Sequence, residues 1–97
     1  MRIVARKTIV TFYTKHAPSK VALEEWFIKT INSEWGSYAD MKLTFNSVDS
    51  VGNNRFVFNI KGNDYRLVAI VLFQLKTVYI RFIGTHAEYN KIDCSNI

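Results

Sequence analysis

The stretch Arg55-Phe56-Val57-Phe58-Asn59-Ile60-Lys61-Gly62-Asn63-Asp64-Tyr65-Arg66-Leu67-Val68-Ala69-Ile70-Val71-Leu72-Phe73 decides the fold. Phe56, Phe58 and Ile60 alternate with Arg55, Val57, Asn59 and Lys61, the period of two expected of a strand with one buried face. Gly62-Asn63-Asp64 supplies a hairpin turn. Beyond Arg66, the segment Tyr65 to Phe73 is apolar on both faces, as a central strand requires.

Working outward, Gln74-Leu75-Lys76-Thr77 reads as the next turn. A third strand follows, in which Val78, Ile80 and Phe82 alternate with Tyr79, Arg81 and Ile83. Thr85 to Ile92 then has room for one or two helical turns. Towards the N-terminus, Gly52-Asn53 is a turn signal. Tyr38 to Asn53 is less regular, and the alternation of Met41, Leu43 and Phe45 leaves a short strand or an anchored loop open. Arg2 to Ala5 reads as a β-branched edge strand. Ile9, Phe12, Tyr13 and His16 are spaced as one face of a helix over Lys7 to Lys15. A second helix opens at Ala17-Pro18-Ser19, because a proline in the first turn removes an N–H that has no intrahelical partner. Leu23, Phe27 and Ile31 line one face of it, Trp26 and Trp35 flank them, and Gly36 ends it. The expected fold class is α+β: two N-terminal helices packed on a twisted antiparallel β-sheet, in a single domain over residues 1–97.

Strand pairing turns this pattern into two faces. If the first hairpin folds about Gly62-Asn63, Ile60 faces Tyr65 and Asn59 faces Arg66, and side chains directly opposite share a face. One face then carries Phe56, Phe58, Ile60, Tyr65, Leu67, Ala69, Val71, Phe73, Val78, Ile80 and Phe82, and the helices should bury it. The other carries Arg55, Asn59, Lys61, Arg66, Tyr79 and Arg81 among Val57, Val68, Ile70 and Ile83: four cations and no acid. Thr85 should lie level with Arg66, which brings His86 and Tyr89 to the same end. A slip of one residue would exchange the faces. A solvated face with Lys and Arg is common in antiparallel sheets. Arg66, however, leads a central strand, where an idle charge is costly.

The 97 residues suffice for one domain, and 48% of them are apolar, with seven Phe, five Tyr and two Trp, which excludes a disordered tail. Thirteen Lys and Arg against eight Asp and Glu give a net charge of +5, which favours a polyanionic partner but equally fits a basic protein with none. Cys94 is the only cysteine, so no internal disulfide is possible, and Asp93 and Ser95 beside it do not activate a thiol. Met1 to Lys7 lacks the apolar run of a signal peptide, and Leu67 to Leu75 is too short to span a bilayer. The expectation is a cytoplasmic protein with no membrane association. Two histidines and one cysteine make no zinc set, the carboxylates are scattered, and there is no Gly-rich phosphate loop. No metal or cofactor is expected.

Arg55 to Val68, followed by Tyr79-Ile80-Arg81-Phe82-Ile83-Gly84-Thr85-His86-Ala87-Glu88-Tyr89, resembles the HigB toxins of bacterial type II toxin–antitoxin systems. The pattern is FNI-x-GN-x-YRLV followed by I-x-T-H-x-E-Y. Ala17 to Trp35, with Leu23, Trp26 and Trp35, also fits, so the resemblance spans nearly the whole chain. Lys61 stands where the family usually has glycine, adding charge without disturbing the turn. The resemblance implies a RelE-like fold, cleavage of mRNA (often on the ribosome) and a cognate helix-turn-helix antitoxin, HigA-like.

Metal-independent RNA cleavage uses the substrate's own 2′-hydroxyl. It needs a proton acceptor, cations for the charge that develops on phosphorus, and an acid for the leaving 5′-oxygen. Arg66 is the choice for transition-state stabilisation, because a guanidinium holds phosphate bidentately. His86 is the choice for proton transfer, since imidazole titrates nearest neutral pH; the other reading is a cap after the strand. Tyr89 has two readings, as a partner in base stacking or proton transfer, or as packing for the terminal turn. Lys61 and Arg81 would bind phosphate. Asn59 and Asn63 would orient groups, Asn63 being equally explained by the turn. His16 reads as structural. A non-catalytic RNA-binding or antitoxin-binding module, a degenerate toxin, is the alternative.

Overall fold

The computed structural model describes all 97 residues. In chain order the elements are β1 (Arg2–Val4), α1 (Arg6–Lys15), α2 (Lys20–Ile31), α3 (Tyr38–Thr44), β2 (Asp49–Gly52), β3 (Arg55–Ile60), β4 (Tyr65–Leu72), β5 (Thr77–Thr85) and α4 (His86–Tyr89). Single 3-10 turns at Ala17–Ser19 and Phe73–Leu75 lead into α2 and β5. The strands form one five-stranded sheet in the order β1-β5-β4-β3-β2. β4 is therefore central, as its two apolar faces require.

The pairing of β3 with β4 is the one expected: Ile60 opposite Tyr65, Asn59 opposite Arg66, Phe58 opposite Leu67. The face carrying Phe56, Phe58, Ile60, Leu67, Ala69, Val71, Val78 and Ile80 is buried beneath Ile9 of α1, Leu23 and Trp26 of α2, and Met41 of α3. Trp26 meets Phe58 edge-on at 5.3 Å between ring centroids, and Phe45 meets Phe58 at 5.4 Å. Burial of a side chain the size of Phe contributes about 1.5–3 kcal/mol, so this aromatic cluster is a large share of what holds helices to sheet.

Two expectations need correction. The sheet is mixed, not antiparallel throughout, because β1 pairs with β5 in parallel. The chain reaches β5 from β1 by way of the helices and three further strands, and such a return does not constrain neighbours to run oppositely as a hairpin does. The second correction is a third helix before the sheet. The alternation of Met41, Leu43 and Phe45 that suggested a strand lies at the end of α3, where Met41 is buried and Leu43 is exposed. Local hydrogen bonds start this helix: the Asp40 N–H donates to Ser37 Oγ (3.2 Å) and the Gly36 N–H to the Asp40 carboxylate (2.9 Å). No helix is long and apolar enough to cross a membrane.

Ser37→Ala removes the N-cap of α3 and should cost about 1 kcal/mol. A thermal melt should show Tm lower by roughly 4–8 °C.

Candidate active site at one end of the sheet

The site is built where the β3–β4 hairpin meets the end of β5. In the hairpin turn, Lys61 and Gly62 both hold left-handed backbone, at φ 53° and 64°. Glycine adopts this conformation freely, so Lys61 forms the turn at a backbone cost that a glycine would avoid. Its ammonium lies 3.9 Å from the Asp64 carboxylate, both on the surface. Directly behind the turn, Asn59 and Arg66 face each other across the strands.

β5 departs from simple alternation. Val68 pairs with Phe82 and Ala69 with Ile80, leaving Arg81 as the extra residue of a β-bulge. A bulge re-aims the side chains that follow it. Ile83 packs against the core instead of the open face, and Phe82 takes its place beside Val68, the reverse of the faces expected. Gly84, not Thr85, stands opposite Arg66; Thr85 stands opposite Tyr65. The Phe82 ring lies over Gly84 so closely that a Cβ there would sit 2.4 Å from Phe82 Cζ.

Thr85 then turns the chain into α4. Its hydroxyl accepts the Glu88 N–H at 3.2 Å, and the Glu88 carboxylate accepts the Thr85 N–H at 2.8 Å, a reciprocal cap. The backbone and hydroxyl of Thr85 hold the Glu88 carboxyl below its ordinary pKa. The His86 N–H donates to the Asp64 carbonyl at 3.2 Å, tying the start of α4 to the hairpin turn. Cap, turn and strand end thus fix one another.

Arg66 lies half-buried at the centre of this arrangement. Its Nη1 donates to the carbonyls of Asn63 (3.1 Å) and Tyr65 (3.4 Å). Its guanidinium carbon lies 5.8 Å from the centroid of the Tyr89 ring, a cation–π contact. No carboxylate pairs with it, since Lys61–Asp64 is the only ion pair. A guanidinium has five N–H donors. With Nη1 committed to carbonyls, Nε and Nη2 have no protein partner.

Tyr89, four residues into the last helix, hydrogen-bonds Cys94 Sγ through its hydroxyl at 3.4 Å. Burial first, then the Cys94 hydrogen bond and charge, push its phenol up to about 12, and the Arg66 charge only partly opposes this. His86 is exposed at the first position of α4, with the Asn90 side-chain amide 3.3 Å from Nδ1. An amide donating there leaves the neutral ring protonated at Nε2.

The rest of the open face is not open. Val57 and Val68 lie on it, away from the helices, yet are 4% and 0% exposed. The segment 90–97 connects the two ends of this face. It leaves α4 beside Arg66 and reaches Arg55 at the far end of β3, where Arg55 Nε and Nη2 donate to the Ile97 main-chain oxygen at 2.9 and 2.7 Å. The face also carries an acid, because β2 pairs Asp49 with Val57.

Of the residues expected at the site, Arg66, His86, Tyr89, Asn59, Lys61 and Asn63 lie on the hairpin end and α4, with Asn63 contributing its carbonyl. Arg81 stands apart, exposed at the bulge three residues before Gly84, with no hydrogen bond to the cluster. His16 follows the last residue of α1, stacked on Phe12 at 4.3 Å and edge-on to Tyr65 at 6.0 Å, and it lines a cavity with Ile83 and Glu88 beside α4. The contact of Cys94 with Tyr89 depends on the path of the chain after α4, so the residues beside Cys94 carry no sign of it. Nowhere do three His, Cys, Asp or Glu side chains gather in a group able to hold a metal ion.

A family model described as "HigB_toxin, RelE-like toxic component of a toxin-antitoxin system" matches residues 19–92. The chain belongs to this HigB toxin family. It is 34% identical over 88 residues to the mRNA interferase toxin HigB of Escherichia coli (strain K12), covering 89% of this chain and 82% of that protein. The mRNA interferase HigB of Shigella flexneri gives the same figures. The mRNA interferase HigB of Escherichia coli O6:H1 is 23% identical over 94 residues, covering 95% of this chain and 91% of the relative. The matched region of this HigB toxin includes Arg66, His86 and Tyr89.

Folding raises the Tyr89 phenol above the unfolded value of about 10. The stability linked to its proton is therefore fully present below about pH 10 and lost as the pH rises through about 12. Phenolate absorbance should show one tyrosine titrating near 12, and Cys94→Ala should lower that midpoint. Gly84→Ala forces the Phe82 ring to move and should cost about 1–3 kcal/mol in a denaturant melt.

Proposed function

We propose that this chain is the toxin of a type II toxin–antitoxin pair and an endoribonuclease that cleaves mRNA, using one RelE-like domain over residues 1–97. The observation that carries the reading is Arg66. A guanidinium on the central strand is held by two carbonyls and an aromatic ring, lacks a carboxylate partner, and keeps two kinds of N–H donor unused. That is the donor set for two oxygens of one phosphate. The relatives' description as mRNA interferases supports the same reading.

In the proposed reaction the 2′-oxygen bonds to the adjacent phosphorus and the bond to the 5′-oxygen breaks, leaving a 2′,3′-cyclic phosphate and a 5′-hydroxyl. Arg66 stabilises the charge that builds on the phosphoryl oxygens. His86 takes the 2′-hydroxyl proton and returns one to the 5′-oxygen. Tyr89 keeps its phenolic proton at neutral pH and donates it to Cys94, so it serves as an aromatic surface beside Arg66 and does not act as the base. Lys61, Asn59 and Asn63 line the approach of the RNA backbone, and Arg81 binds phosphate farther along the strand.

We place the reaction in the cytoplasm and on the ribosome. An exposed site with one imidazole supplies little positioning of its own, and a ribosome holds the mRNA in place. The protein partner is a helix-turn-helix antitoxin of the HigA-like kind.

Inducing the chain should arrest growth and yield mRNA fragments with new 5′ ends. Arg66→Ala and His86→Gln should each lower cleavage by about 10²-fold or more while the circular dichroism of the fold is kept. A folded double variant that cleaves at the wild-type rate would contradict the catalytic assignment. Growth arrest with intact mRNA would point instead to a binding mechanism.

A further inference from the structure

We propose that Arg55 is a positioning residue for the active site, holding Tyr89 against Arg66 through the strap formed by residues 90–97. The two arginines of the face have opposite states. Arg66 has free donors, whereas all three nitrogens of the Arg55 guanidinium are satisfied by main-chain oxygens. Nε and Nη2 donate to Ile97, and Nη1 donates to Asn53 at 2.9 Å. Arg55 is therefore not a phosphate ligand, although it stands in the cationic row of the sequence.

The strap is anchored at both ends and stiffened between them. At the far end the Asn53 side-chain amide also donates to the Ser95 carbonyl at 2.9 Å. Asn53 and Asn54 hold left-handed backbone, φ 53° and 61°, which aims the β2–β3 turn at the strap. Within the strap, Asp93 accepts from Ser95 Oγ (2.9 Å) and Asn96 Nδ2 (2.6 Å), closing a compact turn. At the near end Cys94 Sγ accepts from the Tyr89 hydroxyl. On the same face, Val57 and Val68 are buried and form an apolar floor outside the helix-covered core. A continuous set of contacts thus runs from Arg55 to Ile97, along the turn to Cys94, then to Tyr89 and Arg66. Released from Arg55, the strap loses its far anchor, and the Tyr89 ring loses the fixed sulfur that orients its hydroxyl.

The inference rests on Tyr89 belonging to the site, so its test separates the two claims. Arg55→Ala, Arg55→Lys and Asn53→Ala would be made in the full chain with carbon-13-labelled tyrosine. The Tyr89 resonance is assigned by its disappearance in Tyr89→Phe. Arg55→Ala should shift and broaden that resonance and lower the phenol midpoint from about 12 towards the ordinary value. Its kcat for mRNA cleavage should fall by about tenfold or more, with KM changed by no more than about twofold, because the loss is one of geometry. Arg55→Lys keeps one donor for Ile97 and should restore part of both signals. Asn53→Ala frees Ser95 and Asn96 but leaves the Arg55–Ile97 contacts in place, and it should give the same shift to a smaller extent; it replaces Arg55→Ala if that variant does not fold. A moved Tyr89 resonance with unchanged kcat supports the link from Arg55 to Tyr89 and removes Tyr89 from the catalytic reading. An unmoved Tyr89 resonance in folded Arg55→Ala and Asn53→Ala overturns the proposal.

Discussion

The register of one hairpin governs the whole molecule. Pairing Phe58 with Leu67 sends those side chains into the helices, and the same pairing sends Asn59 and Arg66 out on the other side. Because side chains alternate, no arrangement could bury the aromatic row and keep Arg66 inside, or expose the row and keep Arg66 out. The burial of Phe58, Leu67 and Val71 therefore does two things at once. It supplies the hydrophobic term that makes a small domain stable, and it fixes the placement of the one guanidinium that the proposed chemistry needs.

The open face divides into three zones with different physics. At the hairpin end, polar groups outnumber their protein partners, and Arg66 in particular keeps unused donors beside an aromatic ring. In the middle, Val57 and Val68 are buried. At the far end, Arg55 is wholly engaged by main-chain oxygens. A cationic face that looked uniform in sequence is thus a short site, an apolar floor and a structural anchor. The net positive charge still draws RNA towards the molecule, and the hairpin end offers the half-buried Arg66 donors that a phosphate would complete. The bulge at Arg81 sharpens that end. It leaves Gly84 opposite Arg66, and the Phe82 ring takes the space over Gly84 that a side chain there would fill.

What could be read from the sequence followed from local rules. The Asn59–Arg66 pairing came from alternation and a turn, and the grouping of Arg66, His86 and Tyr89 came from extending that pairing. The parts that could not be read depended on choices the local pattern leaves equal. Phe82 and Ile83 are both apolar, so either can face the core, and only the bulge decides between them. Met41, Leu43 and Phe45 carry a two-residue period, but Ser37 followed three residues later by Asp40 is a helix-start signature that competed with it and won. The contacts of Arg55 with Ile97 and of Asn53 with Ser95 join residues 42 apart. They carry no signal in either segment alone, so the strap and its effect on the face were invisible. Asp49 joined the face for a similar reason, since β2 lies in a stretch without clear alternation. The activity itself came from family likeness, and the fold supplies the arrangement in which that likeness makes chemical sense.

The most direct test of where RNA is held is nuclear magnetic resonance of the intact chain titrated with a short RNA whose 2′-oxygens are methylated, so that it binds without being cut. Amide shifts should concentrate at residues 59–66 and 84–89 and fade with added salt, as phosphate contacts do. Shifts confined to α1 and α2, with the hairpin end and α4 unmoved, would contradict an active site built on Arg66.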